Sequence, residues 1–188
     1  MSRLDPRHPL VVDTRLVARR PGQMAVIERT VPASERLGVD VVALPEGSPI
    51  ELALRLESVI EGVLISGTAT AQAQGECVRC LDPVVIDLEV EMQELFAYPE
   101  TAAADADEIE TLEDELVDIG PMLRDAVVLA LPLQPVCSVD CRGLCPTCGI
   151  RLADDPEHAH EQVDPRWAAL KHVAADVATE DVPTGTSE

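Results

Sequence analysis

The chain has 188 residues with a formal net charge of −21; 46% of its residues are hydrophobic, yet only Phe96, Tyr98 and Trp167 are aromatic. That length fits one domain, or one domain with a small appendage, and its core must be built from Val, Leu, Ile and Ala. No apolar run approaches the roughly 20 residues that span a bilayer, and an overall charge this negative argues against a broad basic groove for nucleic acid.

The first segment, "MSRLDPRHPLVVDTRLVARRPG", is broken by Pro and Arg and holds no apolar stretch of signal-peptide length. A cytoplasmic protein is expected, with no membrane partner and no small-molecule substrate, and in that compartment thiols stay reduced. Up to Arg36 seven arginines stand against four acids, whereas fourteen Asp and Glu lie between Arg79 and Arg124 with no Lys or Arg among them. A surface of that kind repels phosphate and attracts basic partners.

The stretches "MAVIERTV" (24–31) and "VDVVAL" (39–44) read as strands. The clearest pattern follows, with Ile50, Leu52, Leu54 and Leu56 alternating with Glu51, Ala53, Arg55 and Glu57, which is strand periodicity with one wet face. "GVLISGTATAQAQGEC" reads as the next strand. Then Val84, Ile86, Leu88, Val90 and Met92 alternate with Asp87, Glu89 and Glu91. Neighbouring amphipathic strands with short turns predict an antiparallel sheet over residues 1–98, carrying the first C-x-x-C, "ECVRCL".

Residues 99–118 read as an acidic linker or mobile loop. Over 119–132 the period becomes helical, with Pro121 at the start and Leu123, Val127 and Leu131 on one face, and Pro132 ends it. That helix is expected to cover the sheet. A short C-terminal helix is expected over 164–178, with Asp164 as its N-cap, and a disordered tail over 179–188. The fold class is α+β: an antiparallel sheet covered by a helix, with a small cysteine-rich zinc-binding segment at 136–152 and a closing helix.

In that segment "LCPTCG" has the form of a zinc knuckle, because two thiolates two residues apart reach one tetrahedral ion from a tight turn. Two ligand sets compete. Cys137, Cys141, Cys145 and Cys148 form a compact local site, the favoured set; alternatively Cys77 and Cys80 pair with Cys145 and Cys148 as a zinc ribbon. His158 and His160 in "PEHAHEQ" would raise the ligand count to eight, but histidines in an acidic loop are more often solvated. A redox dithiol is the lesser alternative. Four thiolates leave no open position for substrate, so the zinc is structural, and no catalytic constellation stands out elsewhere. The chain is not expected to be an enzyme.

"GECVRCLDPV", the acidic stretch, "ALPLQPVCSVDCRGLCPTCGIRL" and "VDPRWAALKH" together resemble the YceD family, named for large ribosomal RNA subunit accumulation, in its actinobacterial branch. The resemblance implies a role in ribosome biogenesis. Some members lack several of these cysteines, which implies a scaffold role for the metal. On this reading the chain is an acidic adaptor for a basic ribosomal protein or large-subunit assembly intermediate, the run from Asp82 to Asp118 being its contact surface. Direct rRNA contact through Arg15, Arg19 and Arg20 is the alternative, and a thiol-based redox or zinc sensor the third reading.

Overall fold

In a computed structural model, residues 4–17, 19–101, 110–160 and 166 are described. The chain divides into two compact units, Met1–Gly143 and Leu144–Glu188.

Among its described residues the first unit is mostly antiparallel β-sheet with one helix, compatible with the α+β class. Its strands are β1 (Val11–Asp13), β2 (Met24–Pro32), β3 (Leu37–Val39), β4 (Val42–Leu44), β5 (Pro49–Ser58), β6 (Gly62–Glu76), β7 (Pro83–Ala97) and β8 (Leu116–Asp118). A 3-10 turn, Thr14–Val17, follows β1, and the helix α1 spans Gly120–Ala130. β6 is the centre of the main sheet. One of its edges takes β5 and then β4, while the other pairs with β7 along its whole length. β2 flanks β5, and β3 flanks β4.

The alternation in the sequence becomes the two faces of this sheet. Ile50, Leu52, Leu54 and Leu56 of β5 and Leu88, Val90 and Met92 of β7 are buried in one cluster with Val63, Ile65 and Phe96. Each such aliphatic side chain contributes about 1.5–3 kcal/mol on full burial. Met122, Leu123 and Val127 of α1 join that cluster, and the nearest elements to the helix are β7 and β3. Pro121 sits in the first turn, where a missing N–H costs nothing. The Gly120 N–H donates to Asp118 Oδ1 at 2.8 Å. Leu131 is already extended ahead of Pro132, as steric conflict with a following proline ring demands.

Residues 110–118 are woven into the fold, where the sequence reads as acidic linker. Leu112, Leu116 and Val117 are buried, and β8 pairs antiparallel with β1 to make a second, two-stranded sheet. The Thr14 N–H and hydroxyl both donate to the Glu115 carbonyl at 2.9 Å, and the Ile119 N–H donates to Leu10 O at 3.0 Å. Three apolar side chains among the acids are enough to anchor the segment. The expected closing helix at 164–178 and the tail at 179–188 lie outside the described residues, Arg166 apart. No helix among the described residues is long and apolar enough to cross a membrane.

Candidate metal centres

The β6–β7 hairpin carries one cysteine pair at its tip. Register runs to Glu76 opposite Pro83, leaving residues 77–82 as the turn, where the Cys77 N–H donates to Asp82 O at 2.7 Å and the Leu81 N–H to Cys77 O at 2.8 Å. Leu81 takes a positive φ of 63° to close it. The segment after α1 is then laid along this tip. The Val78 N–H donates to Pro135 O at 2.9 Å, and Arg79 Nη1 donates to Val139 O at 3.1 Å and Cys141 O at 3.0 Å. Gly143 packs so close that a Cβ there would lie 2.8 Å from Arg79 O.

These bonds deliver Cys137 and Cys141 to the hairpin cysteines. Cys77 Sγ lies 3.8 Å from Cys141 Sγ and Cys80 Sγ 3.6 Å from Cys137 Sγ, with all four sulfurs within 4.8 Å of one another. Zn–S bonds of about 2.3 Å in a tetrahedron put sulfurs about 3.8 Å apart, so the cluster fits a thiolate-bound zinc. A disulfide would need about 2.05 Å, and all six cysteines are free. Desolvation pushes the buried Cys77 thiol up, but backbone hydrogen bonds from Cys137, Cys80 and Arg79 outweigh it and bring the thiol down to about 6. Cys80 is driven up to about 12 by desolvation and by the neighbouring sulfurs of Cys77, Cys137 and Cys141. Thiolates crowded this closely repel one another, and a divalent cation removes that conflict.

In the second unit the knuckle "LCPTCG" closes on itself. The Cys145 N–H donates to Ile150 O and the Gly149 N–H to Cys145 O, both at 2.8 Å, and Gly149 takes the positive φ of 72° that the turn needs. Backbone hydrogen bonds from Cys148 and Thr147 draw the Cys145 thiol down to about 6. His158 and His160 complete a second group with Cys145 and Cys148, again with all four ligand atoms within 4.8 Å.

The structure therefore distributes the expected ligands differently from either set read in the sequence. Cys137 and Cys141 stand with Cys77 and Cys80, because the hydrogen bonds of Val78 and Arg79 tie the segment after the helix to the hairpin tip. Cys145 and Cys148 stand with the two histidines, which the sequence reading left in solvent. The missed signal was the His-x-His pair ten residues beyond Cys148. Of the three expected RNA-contact arginines, Arg19 pairs with Glu115 at 2.7 Å and with Glu100, and its guanidinium lies 4.5 Å from the Tyr98 ring centroid. Burial works to lower its pKa, but Glu115 and then Glu100 raise it overall. Arg15 pairs with Asp13 at 3.2 Å, and Arg20 is exposed.

The wet face of the sheet concentrates negative charge. Register places Glu51, Thr70 and Glu89 in one row and Glu28, Ala53, Thr68 and Glu91 in the next. Ser66, Thr68 and Thr70 thus run down the middle, with Glu28 and Glu51 on one side and Asp87, Glu89 and Glu91 on the other. Shallow depressions lie along this line. Further along β7, Glu94 has its pKa raised by desolvation first, then by Glu110 and Asp125. A carboxyl whose folded pKa is raised favours the protonated fold, so its contribution is full at low pH and is lost as pH rises through the folded value. Glu94→Gln should raise Tm at pH 7, and the gain should vanish as pH falls below the ordinary glutamate range near about 4.3. Melting curves across pH check this; a gain persisting at low pH would point to some cause other than ionisation.

Residues 65–174 match the family described as large ribosomal RNA subunit accumulation protein YceD. An uncharacterized protein of Mycobacterium tuberculosis is 47% identical over 165 residues, covering 86% of this chain and 80% of its own length. One from Mycobacterium leprae is 42% identical over 183 residues, covering 96% and 82%, and the Bacillus subtilis protein YlbN is 28% identical over 155 residues, covering 80% and 88%. No solved structure matches the chain.

Proposed function

Since the chain belongs to the YceD family of large ribosomal RNA subunit accumulation proteins, we propose that it is a non-enzymatic ribosome-biogenesis factor, an acidic adaptor for a basic ribosomal protein or assembly intermediate. The observation that carries the adaptor reading is the trough on the sheet's wet face. A Lys- and Arg-rich extension fits between Glu28 and Glu51 on one side and Asp87, Glu89 and Glu91 on the other, over the small side chains of Ser66, Thr68 and Thr70. Charge complementarity of this kind speeds encounter and rejects phosphate, and salt weakens it. The basic partner is thereby kept from stray RNA until delivery. Direct rRNA contact is the weaker reading, because Arg15 and Arg19 are engaged with the chain's own carboxylates.

The cofactor in this proposal is zinc, held by Cys77, Cys80, Cys137 and Cys141. Four thiolates fill the coordination sphere, so the ion would act as scaffold at the hairpin tip. Depletion of the protein should selectively lower the ratio of large-subunit to small-subunit rRNA, and the intact gene should restore it. A copy carrying Glu51→Lys, Glu89→Lys and Glu91→Lys should not. An unchanged ratio on depletion overturns the biogenesis role, while full rescue by the charge-reversed copy overturns the trough as its contact surface.

A further inference from the structure

We propose that Cys145, Cys148, His158 and His160 hold a second zinc ion, that this ion organises residues 144–160, and that it is the first of the two to be released.

The geometry converges on one point. Cys148 Sγ lies 3.1 Å from His158 Nε2 and 3.2 Å from His160 Nε2, and the two Nε2 atoms are 2.9 Å apart. A zinc tetrahedron with Zn–S of about 2.3 Å and Zn–N of about 2.0–2.1 Å has edges of about 3.3–3.6 Å between such atoms. The ligands need open by only a few tenths of an ångström to seat the ion. The rings meet edge to face with centroids 4.6 Å apart, so both nitrogens face the same point without stacking.

The surroundings are those of a ligand histidine. His158 Nδ1 lies 3.7 Å from an Asp155 carboxylate oxygen, and the His158 N–H donates to Asp155 O at 3.1 Å. The carboxylate thus lies beside one ring nitrogen, just beyond direct hydrogen-bond reach, while the other nitrogen faces Cys148 Sγ. Two thiolates with two imidazoles in tetrahedral array select zinc over the harder divalent cations.

Among its described residues the second unit has almost no apolar core. Cys145 is the single buried residue among 144–160, Ile150 is 41% exposed, and no residue of this stretch belongs to the hydrophobic cluster. A segment so short and so open is held by a metal or a disulfide where no core exists, and its cysteines are free. Metal binding is then folding.

The two sites differ in kind. Each site has one buried cysteine, Cys77 or Cys145, but the hairpin site uses four thiolates of which Cys137 alone is exposed, whereas here both Cys148 and His160 are exposed and half the ligands are neutral imidazoles. A chelator reaches the mixed site more readily and opposes less ligand charge there.

Native mass spectrometry of the full chain loaded with zinc should find two ions. The double variant His158→Ala, His160→Ala should hold one and keep the melting transition of the first unit. Graded chelation of the unaltered chain should release one zinc before the other, with hydrogen-exchange protection lost first within 144–160. One ion on the unaltered chain, or two on the histidine variant, overturns the second site. Release of both ions in a single step, or first loss of protection at the hairpin tip, overturns the order of release.

Discussion

Cys77→Ser should empty the hairpin-tip site and lower Tm by on the order of 10 °C. Cys77 is fully buried, and the backbone groups of Cys137, Cys80 and Arg79 all point hydrogen bonds at its sulfur. A serine oxygen sits closer to the backbone and is a hard, protonated ligand, so the tetrahedron loses a corner that nothing nearby replaces. With the ion gone, the bonds from Val78 to Pro135 and from Arg79 to Val139 and Cys141 must hold the segment after the helix by themselves. The long strands lie beyond the tip, so strand content by circular dichroism should survive. Zinc content and thermal melting give the result, and chelation of the unaltered chain should reproduce the variant's loss at this site. A variant with full zinc and an unchanged Tm would remove zinc from the account of the hairpin tip.

Gly67→Val should be the most damaging change outside the cysteines. A Cβ at Gly67 would lie 2.1 Å from Ala53 O and 2.9 Å from Leu54 Cα, both backbone atoms of the paired strand β5. A Cβ added at Gly62 or Gly75 of the same strand would likewise fall onto the backbone oxygen of Phe96 or Val41, so β6 passes its neighbours at three points with no room for a side chain. Side chains can swing aside, but ladder backbone cannot. Making room means parting β5 from β6 and drawing Leu54, in register with Gly67, out of the core. The cost should be about 3 kcal/mol or more, enough to abolish a cooperative transition in a marginal domain. Thr70→Ala, on an exposed position of the same strand, should stay within about 0.5 kcal/mol. Urea melts of the two variants check this; a Gly67→Val protein as stable as Thr70→Ala would mean that β5 and β6 do not pair in this register.

The strands of the main sheet were legible because each is long enough for a period of two to show. β5 and β7 alternate almost without fault, and apart from Ser58 their buried residues are the apolar ones. The pairing of β1 with β8 was not legible, since it joins residues about a hundred positions apart and each strand is three residues long. Among 110–118, Leu112, Leu116 and Val117 carry the anchoring, but the surrounding acids mask them in any average over the segment. The cysteines told a similar story at smaller scale. A C-x-x-C spacing marks a pair that can share an ion, yet it is silent on which other pair arrives, which depends on hydrogen bonds such as Arg79 to Val139. The His-x-His pair had no periodicity to raise it above ordinary loop histidines.

The four cysteines proposed as hairpin-tip ligands would also fix how the chain is threaded. Cys80 and Cys137 face each other across 57 positions of sequence, so an ion held there makes a ring of everything between them, including the whole of β7, β8 and α1. A single proteolytic cut anywhere inside that ring leaves both pieces fastened at the same four sulfurs. Such a nicked chain should keep its intact mass under native conditions and fall into two fragments only when the metal is taken away.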